Sequence, residues 1–169
     1  MMIIIHFDLE IKIFDIINAF INAIRDPCNT LMACQFPDGF KAPGICIEID
    51  RALYGMRDSP SLWYNDFSSK LKKLGLIACK EEPCLFMNEQ RTLFVVFFID
   101  DVQVLYHRDD TPIAQSFINQ LKGAYELRDL GDIEWFLGIR VIRDRATRKI
   151  WLVHDTYIEK IAQKFGLDG

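Results

Sequence analysis

Three aspartates stand at the ends of apolar segments, where their carboxylates could act together. Asp100 and Asp101 follow the apolar run 92–99 and precede a second apolar run, and Asp15 lies near the end of another. Aspartate is unfavourable in strands and costly to bury as a bare charge, so two of them between buried strands need either solvent or a cation. An exposed Asp-Asp turn is the alternative interpretation, because turns favour aspartate.

The third carboxylate, that of Asp15, favours a bound cation over an exposed turn. If the strand of Asp15 neighbours the strand that ends at Asp100, the two carboxylates meet at one sheet edge, because facing side chains on paired strands lie about 5 Å apart. Carboxylates that close repel each other unless a cation bridges them. Mg²⁺ suits the arrangement, since it prefers oxygen ligands and combines one or two carboxylates with substrate phosphates. Two such ions form the usual clamp for in-line phosphoryl transfer.

The elements that position these aspartates follow from the spacing of apolar residues. Alternating or continuous apolar segments predict strands at 11–17, 31–36, 45–49, 77–79, 84–87, 92–99, 102–106, 134–143 and 149–153. Spacings of three and four predict helices at 59–74, with Ser59 as the cap, and at 112–124 and 156–165. Residues 1–5 are expected to form the edge of a strand or helix, and Asp26-Pro27 to break the first segment. This order predicts an α+β fold with helices on one face of an antiparallel sheet.

Composition limits the class of protein. Half of the 169 residues are hydrophobic, which excludes intrinsic disorder and is enough for one domain with a core. The net charge is −4, so any nucleic-acid binding depends on a local basic patch. Five cysteines without a CxxC pair indicate neither a zinc site nor a disulfide framework. Because no signal peptide or transmembrane segment is recognised, we expect an intracellular, cytoplasmic chain with no membrane partner.

A collinear set of motifs resembles those of Ty1/copia-type retrotransposon reverse transcriptases. The longest, RALYGMRDSPSLWY at 51–64, is similar to the family signature ALYGLKQSPRAWY, and FIDD at 98–101 stands where the family has Tyr-Val-Asp-Asp. Further matching segments are 14–20, 36–40, 82–86, 129–139 and 157–160. The resemblance extends from about residue 7 to the end of the sequence.

This resemblance implies a fold, an activity and a metal. The fold would be the palm of a polymerase, with a ferredoxin- or RRM-like core. The activity would be RNA-directed DNA polymerase, in which a dNTP is joined to the 3′-hydroxyl of a primer. Asp15 and Asp100 would be catalytic ligands of two Mg²⁺ ions, with Asp101 as a weaker third carboxylate and Mn²⁺ as the alternative ion. An RNA or DNA template-primer and a dNTP would be the partners.

The resemblance also implies which residues meet the substrates. Phe20 would lie under the sugar of the incoming nucleotide and favour dNTP over rNTP, and Gly55 would let the backbone approach the template–nucleotide pair. Phe98 and Ile99 belong to the aspartate motif, where Phe98 lacks the hydroxyl of the usual tyrosine. A hairpin that grips the primer would contain Trp135, Phe136, Leu137 and Gly138.

The sequence departs from the family pattern at its start. Relatives have a longer segment before the first aspartate motif, the fingers, with basic residues that hold the triphosphate. We therefore expect residues 1–169 to form a single palm domain without fingers and without RNase H. A non-catalytic nucleic-acid-binding palm module and an inactive transposon relic are the alternatives to the enzyme. As part of an intact element, the chain would reside in a virus-like particle.

Overall fold

The computed structural model describes residues 2–25 and 32–167. Its α-helices are α1 (Met2–His6), α2 (Ala19–Asn22), α3 (Ser59–Lys73), α4 (Thr111–Lys122) and α5 (Asp155–Phe165). Its strands are β1 (Glu10–Ile16), β2 (Ala33–Cys34), β3 (Ile47–Glu48), β4 (Ile77–Ala78), β5 (Leu85–Met87), β6 (Leu93–Phe98), β7 (Asp101–Tyr106), β8 (Leu127–Gly131), β9 (Trp135–Phe136), β10 (Ile139–Asp144) and β11 (Lys149–Val153). The predicted mixture of helices and antiparallel strands is confirmed. None of the helices in the described ranges has the length and apolar composition needed to cross a bilayer.

A six-stranded antiparallel sheet organises the molecule, with the strand order β4-β5-β6-β7-β1-β8. β1 lies between β7 and β8, which follow it far along the chain. The hairpin of β6 and β7 therefore meets β1 directly, and the register of this pairing sets Asp15 opposite Asp101. Two smaller sheets, β11-β10-β9 and β2-β3, complete the described strands.

The larger hydrophobic cluster, which we call the main core, covers one face of this sheet. α3 contributes Trp63, Phe67 and Leu71, which are four residues apart and so share one face of the helix. α4 and alternate residues of the central strands supply the other large side chains, among them Phe14, Ile16, Phe86, Val95, Phe97, Val102, Val104, Phe117, Ile118 and Leu121. The main core thus joins the strands that carry the aspartates to two helices.

The opposite face of the sheet carries a separate hydrophobic cluster, the second core. Its members are Ile4, Leu9, Ile11, Ile13, Phe94, Leu105, Ile133 and Val141. Ile4 belongs to α1 and Val141 to β10, so the first helix and the three-stranded sheet pack on this face. The prediction that the helices lie on one face of the sheet is therefore wrong. Strands that are apolar on both faces need cover on both, and the apolar first turn of the chain provides part of it.

The start of α3 differs from the prediction in one local detail. Asp58, rather than Ser59, is the cap residue, and Ser59 is the first residue of the helix. The Ser59 hydroxyl instead donates a hydrogen bond to the carbonyl oxygen of Leu53, 2.6 Å away. This bond fixes the loop that precedes the helix, and that loop forms part of the candidate site.

Strand boundaries differ more. No strand is predicted at β8, because this largely exposed segment has only two apolar residues and obtains its structure by pairing with β1. The strands expected at 31–36 and 45–49 are reduced to the short pair of β2 and β3. The break expected at Asp26-Pro27 and residue 31 of the first of these strands lie outside the described residues.

Candidate active site

The β6–β7 hairpin turns tightly at the segment 98–101, which we call the aspartate turn. Phe98 and Asp101 close the ladder as facing partners, so Ile99 and Asp100 alone form the turn. Ile99 has a φ of 55°, a conformation that a β-branched residue rarely adopts. Backbone strain of this kind costs about 1–3 kcal/mol and persists only where the surrounding structure enforces it.

Two hydrogen bonds hold the aspartate turn in this conformation. The indole N–H of Trp63 donates to the carbonyl oxygen of Ile99 over 2.7 Å. The backbone N–H of Ile16 donates to the carbonyl oxygen of Asp100 over 2.8 Å. The turn is therefore attached to α3 on one side and to β1 on the other, and both attachments fix the backbone that carries Asp100.

The three aspartates gather at this turn. Asp15 lies between Phe14 and Ile16 of the main core, so its side chain projects from the other face of the sheet, as does that of its register partner Asp101. Partial burial raises the pKa of Asp101, and the nearby charges of Asp100 and then Asp15 raise it further. Close carboxylates on neighbouring strands are thus a feature of the folded chain.

A cation is already present beside one of these carboxylates. Arg128 of β8 is the register partner of Asp15, and its guanidinium lies 3.7 Å from the Asp15 carboxylate. No cluster of three or more His, Cys, Asp or Glu side chains within 2–25 and 32–167 is arranged to hold a metal ion. The donor set nevertheless fits a divalent cation, because such an ion accepts carboxylate oxygens as ligands and would relieve the repulsion that raises the pKa of Asp101. Binding through Asp15 would require its side chain to turn away from Arg128.

The sequence motifs do not assign a role to Tyr54, which the structure places beside the aspartates. Burial raises the pKa of Tyr54, followed by the charges of Asp100 and Asp15, which locates its hydroxyl near both carboxylates. Its ring is half exposed and lies 4.6 Å from the ring of Phe20, measured between centroids. Phe20 itself is 6% exposed and belongs to the main core. The signal that could have revealed Tyr54 is its position next to Gly55 in the longest motif.

Three further predicted residues lie near the aspartate turn. Phe98, facing Asp101 in the ladder, is 54% exposed, whereas Ile99 is partly buried against the main core. Gly55 follows Tyr54 with a φ of 88°, a conformation that only glycine adopts without strain. An added Cβ at Gly55 would meet nothing within 4 Å, so the requirement for glycine comes from the backbone and not from crowding inside this chain.

The four residues predicted to grip the primer form a separate hairpin, which we call the grip hairpin. Trp135 and Phe136 make up β9 and pair with the start of β10, while Leu137 and Gly138 turn between them with φ angles of 48° and 78°. Phe136 packs against the second core, and Trp135 and Leu137 are about half exposed. The structure therefore brings the aspartates together with Phe20, Gly55, Phe98 and Ile99, and attaches the grip hairpin to the second core, on the face of the sheet from which Asp15 and Asp101 project.

The family to which these motifs point also matches the chain as a whole. The sequence profile of the family "Reverse transcriptase (RNA-dependent DNA polymerase)" covers residues 2–169. The Retrovirus-related Pol polyprotein from transposon TNT 1-94 of Nicotiana tabacum is 25% identical over 95% of this chain and 12% of the relative. The Putative transposon Ty5-1 protein of Saccharomyces cerevisiae is 26% identical over 89% of this chain and 48% of the relative.

A third relative is the Retrovirus-related Pol polyprotein from transposon RE2 of Arabidopsis thaliana, which is 23% identical over 79% of this chain and 9% of the relative. The chain thus spans less than half the length of each of these three proteins. The chain belongs to the reverse transcriptase (RNA-dependent DNA polymerase) family, and to its copia type, as the motifs predicted.

Proposed function

We propose that this chain is the palm of an RNA-directed DNA polymerase, which adds a dNTP to the 3′-hydroxyl of a primer paired to an RNA or DNA template. The observation that carries the proposal is the pairing of Asp15 with Asp101 next to the turn that presents Asp100. Asp15 and Asp101 lie at one end of this pair of strands, away from Glu10 and Lys12 of β1, and both belong to segments that the family motifs match.

The strand order supports a palm-like fold. Within the sheet, β6, β7, β1 and β8 are neighbours in that order, with α3 between β1 and β6 along the chain and α4 between β7 and β8. This is the arrangement of a split β-α-β unit, in which the hairpin inserts a strand between two others. Such a core brings residues from the first strand and the central hairpin to one edge.

Asp15, Asp100 and Asp101 would hold two Mg²⁺ ions, for which Mn²⁺ could substitute. When bound, the ions would lower the pKa of the primer hydroxyl and neutralise charge on the nucleotide phosphates. The chain's own contribution would be to hold the backbone of all three carboxylates at the same end of the sheet, so that ion binding needs only the Asp15 side chain to turn.

The aromatic pair of Phe20 and Tyr54 would bound the nucleotide on one side. Tyr54 supplies the exposed ring near Asp15 and Asp100, and Phe20 supports it from the main core. Bulk at this point would crowd a 2′-hydroxyl and favour dNTP over rNTP. Phe98 would offer a second exposed ring beside Asp101, and the turn at Gly55 would leave room for the template–nucleotide pair.

The grip hairpin would hold the primer strand. Its half-exposed Trp135 and Leu137 give it an apolar surface, while Phe136 anchors it to the second core. The backbone turn at Gly138 allows the hairpin to reverse within two residues.

A non-catalytic binding module of the RRM type is less well supported. Such modules stack bases on aromatic side chains of an open sheet face. Here one face of the central sheet is covered by α3 and α4 and the other by α1 and β10, through the main and second cores. The exposed aromatic residues near the aspartates lie at the ends of the central strands, where a polymerase would meet its substrates.

The proposal is tested by extension of a primed poly(rA) template with dTTP, in the presence and absence of Mg²⁺ or Mn²⁺. Asp100→Asn should reduce extension by about 10²–10³-fold, because it removes a charged ligand at the reacting phosphate. Asp109→Asn, an equally small change at an exposed residue just beyond β7, should leave extension unchanged. Template binding without extension would favour the binding module, and the absence of both would identify an inactive relic.

A further inference from the structure

We propose that Trp63 is a positioning residue for the candidate metal-binding carboxylates. Its indole N–H fixes the peptide that joins Ile99 to Asp100, and thereby the direction in which Asp100 presents its carboxylate. This inference rests on the proposed function insofar as it concerns metal binding, but the clamp itself is a property of the folded chain. The sequence motif that contains Trp63 does not indicate it, because an indole in the middle of a helix is expected to serve as core.

The aspartate turn needs a clamp because its conformation is strained. Ile99 has a φ of 55°, which its β-branched side chain disfavours. The carbonyl oxygen that Trp63 binds belongs to the peptide between Ile99 and Asp100, 2.7 Å from the indole nitrogen. Relaxation of Ile99 to a negative φ would move its carbonyl oxygen away from the indole and would also turn the backbone of Asp100. The hydrogen bond therefore opposes the one motion that would most easily misdirect the carboxylate.

Trp63 can act as a clamp because its own ring is fixed. It is 1% exposed, it stacks on Phe67 at 5.1 Å, and it meets Tyr125 edge-on at 5.5 Å. Tyr125 is anchored in turn by a hydrogen bond of 2.9 Å from its hydroxyl to Asp66. A buried indole N–H is expected to have a partner, and the Ile99 carbonyl is the partner it has here.

Because the turn has a second hydrogen bond, the effect of the Trp63 bond can be tested without detaching the turn from β1. Ile16 binds the carbonyl of Asp100 through its backbone N–H, which no side-chain substitution removes. Of these two bonds, only the one from Trp63 depends on a side chain. Its loss should leave the hairpin paired with β1 while the peptide between Ile99 and Asp100 becomes free to rotate.

A double-mutant cycle on the full chain tests the clamp, with Mn²⁺ affinity measured by electron paramagnetic resonance in the absence of nucleotide. Trp63→Phe keeps an aromatic ring but removes the N–H, and should weaken Mn²⁺ binding by about five- to tenfold, the worth of one hydrogen bond. Ile99→Gly removes the strain, because glycine adopts a positive φ freely. In that background Trp63→Phe should weaken binding by less than about twofold, since the turn no longer needs the clamp.

Phe67→Leu is the matched control, because it disturbs the same aromatic cluster on the same helix, keeps an apolar side chain and Tyr125 against the Trp63 ring, and leaves the indole N–H in place. It should lower stability without changing Mn²⁺ affinity. Equal losses from Trp63→Phe in both backgrounds, or an equal loss from Phe67→Leu, would show that Trp63 acts only through packing and would overturn the inference.

A readout that requires neither metal nor activity separates this inference from the proposed function. Indole ¹⁵N–¹H spectra should show the Trp63 proton exchanging with solvent at least about a hundredfold more slowly than that of the half-exposed Trp151. Trp63→Phe should also shift the amide signals of residues 99–101. If both are seen but the wild-type chain binds no Mn²⁺, the clamp stands and the proposed function fails. A rapidly exchanging Trp63 proton, or unshifted turn amides, would refute the clamp.

Discussion

The aspartate turn and the grip hairpin are held to the central sheet by different kinds of contact. The aspartate turn is attached through the main core and two hydrogen bonds, from Trp63 and Ile16. The grip hairpin belongs to a sheet that meets the second core through few side chains, among them Val141. Around this smaller cluster, Arg143 and Arg145 also join the three-stranded sheet to residues 8–10, at and just before the start of β1.

The difference in contacts predicts a difference in behaviour. Ionic screening does not weaken apolar packing, whereas partly exposed ion pairs are screened within about 10 Å at ordinary ionic strength. The proposed catalytic carboxylates should therefore keep their positions under conditions in which the grip hairpin loosens. If that hairpin holds the primer, salt should weaken primer binding in two ways. It should loosen the hairpin, and it should screen the phosphate charges of the primer.

The largest effect is expected from truncating the main core. Phe67→Ala should lower the free energy of unfolding by about 3–5 kcal/mol, because it leaves a cavity among aromatic rings of α3 and the sheet. Val141→Ala in the second core removes two methyl groups and should cost about 1–2 kcal/mol. Urea unfolding followed by circular dichroism measures both. Equal losses would contradict the view that the two cores contribute unequally.

A smaller effect is expected from the ion pairs that join the three-stranded sheet to the chain near β1. Arg143 donates to the carbonyl oxygen of Leu9 over 2.7 Å and to the carboxylate of Asp8 over 2.8 Å, and its side chain is only 14% exposed. Arg143→Met should cost about 1–3 kcal/mol, since a charged donor is lost from partly buried acceptors. Hydrogen exchange should show the loss confined to the strands β9, β10 and β11.

The control for this substitution is an exposed arginine in the same group of charges. Arg108 pairs with Glu10 at 3.0 Å, but its side chain is 75% exposed. Arg108→Met should change stability by at most about 1 kcal/mol, as solvent-exposed pairs usually do. A larger loss for Arg108→Met than for Arg143→Met would mean that burial does not determine the strength of these contacts.

The parts of the fold that the sequence predicts are those with strong apolar patterns. The run before Asp100 and the helix carrying Trp63 and Phe67 lie close to their predicted positions. The closing hairpin is also found, but a turn at Leu137 and Gly138 divides the strand predicted at 134–143 into β9 and β10. β8 is different, because this mostly polar five-residue segment forms a strand only by pairing with β1. Tertiary pairing of this kind leaves no periodic signal in the segment itself.

The same holds for the candidate site, where the sequence indicates the acidic residues but not their neighbours. Asp15, Asp100 and Asp101 are identified from residue type and position relative to apolar runs. The contacts of Trp63, Tyr54 and the guanidinium beside Asp15 depend on register and on side-chain direction, which the chain order does not contain. These neighbours were therefore found only in the folded chain, although Trp63 and Tyr54 lie within the longest motif.

The smallest expected effect concerns Arg128, the cation that faces Asp15. Its guanidinium lies 3.7 Å from the carboxylate, and two unit charges at that distance in water interact by about 1 kcal/mol. The side chain is 66% exposed, so Arg128→Gln should change stability by no more than about 0.5 kcal/mol. Removing the competing charge should, however, strengthen Mn²⁺ binding by about two- to fivefold at low salt, measured without nucleotide.

Lys122→Gln provides the matched control for Arg128→Gln, because it removes the same net charge from a side chain that pairs with Asp129 at 3.6 Å instead of Asp15. It should alter Mn²⁺ affinity less than Arg128→Gln does, and the difference between the two variants should shrink as NaCl is raised. Unchanged or weaker Mn²⁺ binding in Arg128→Gln would mean that Asp15 does not have to exchange its arginine for the ion. In that case Asp100 and Asp101 alone would account for metal binding at the aspartate turn, and the pairing of β1 with β8 would have no part in it.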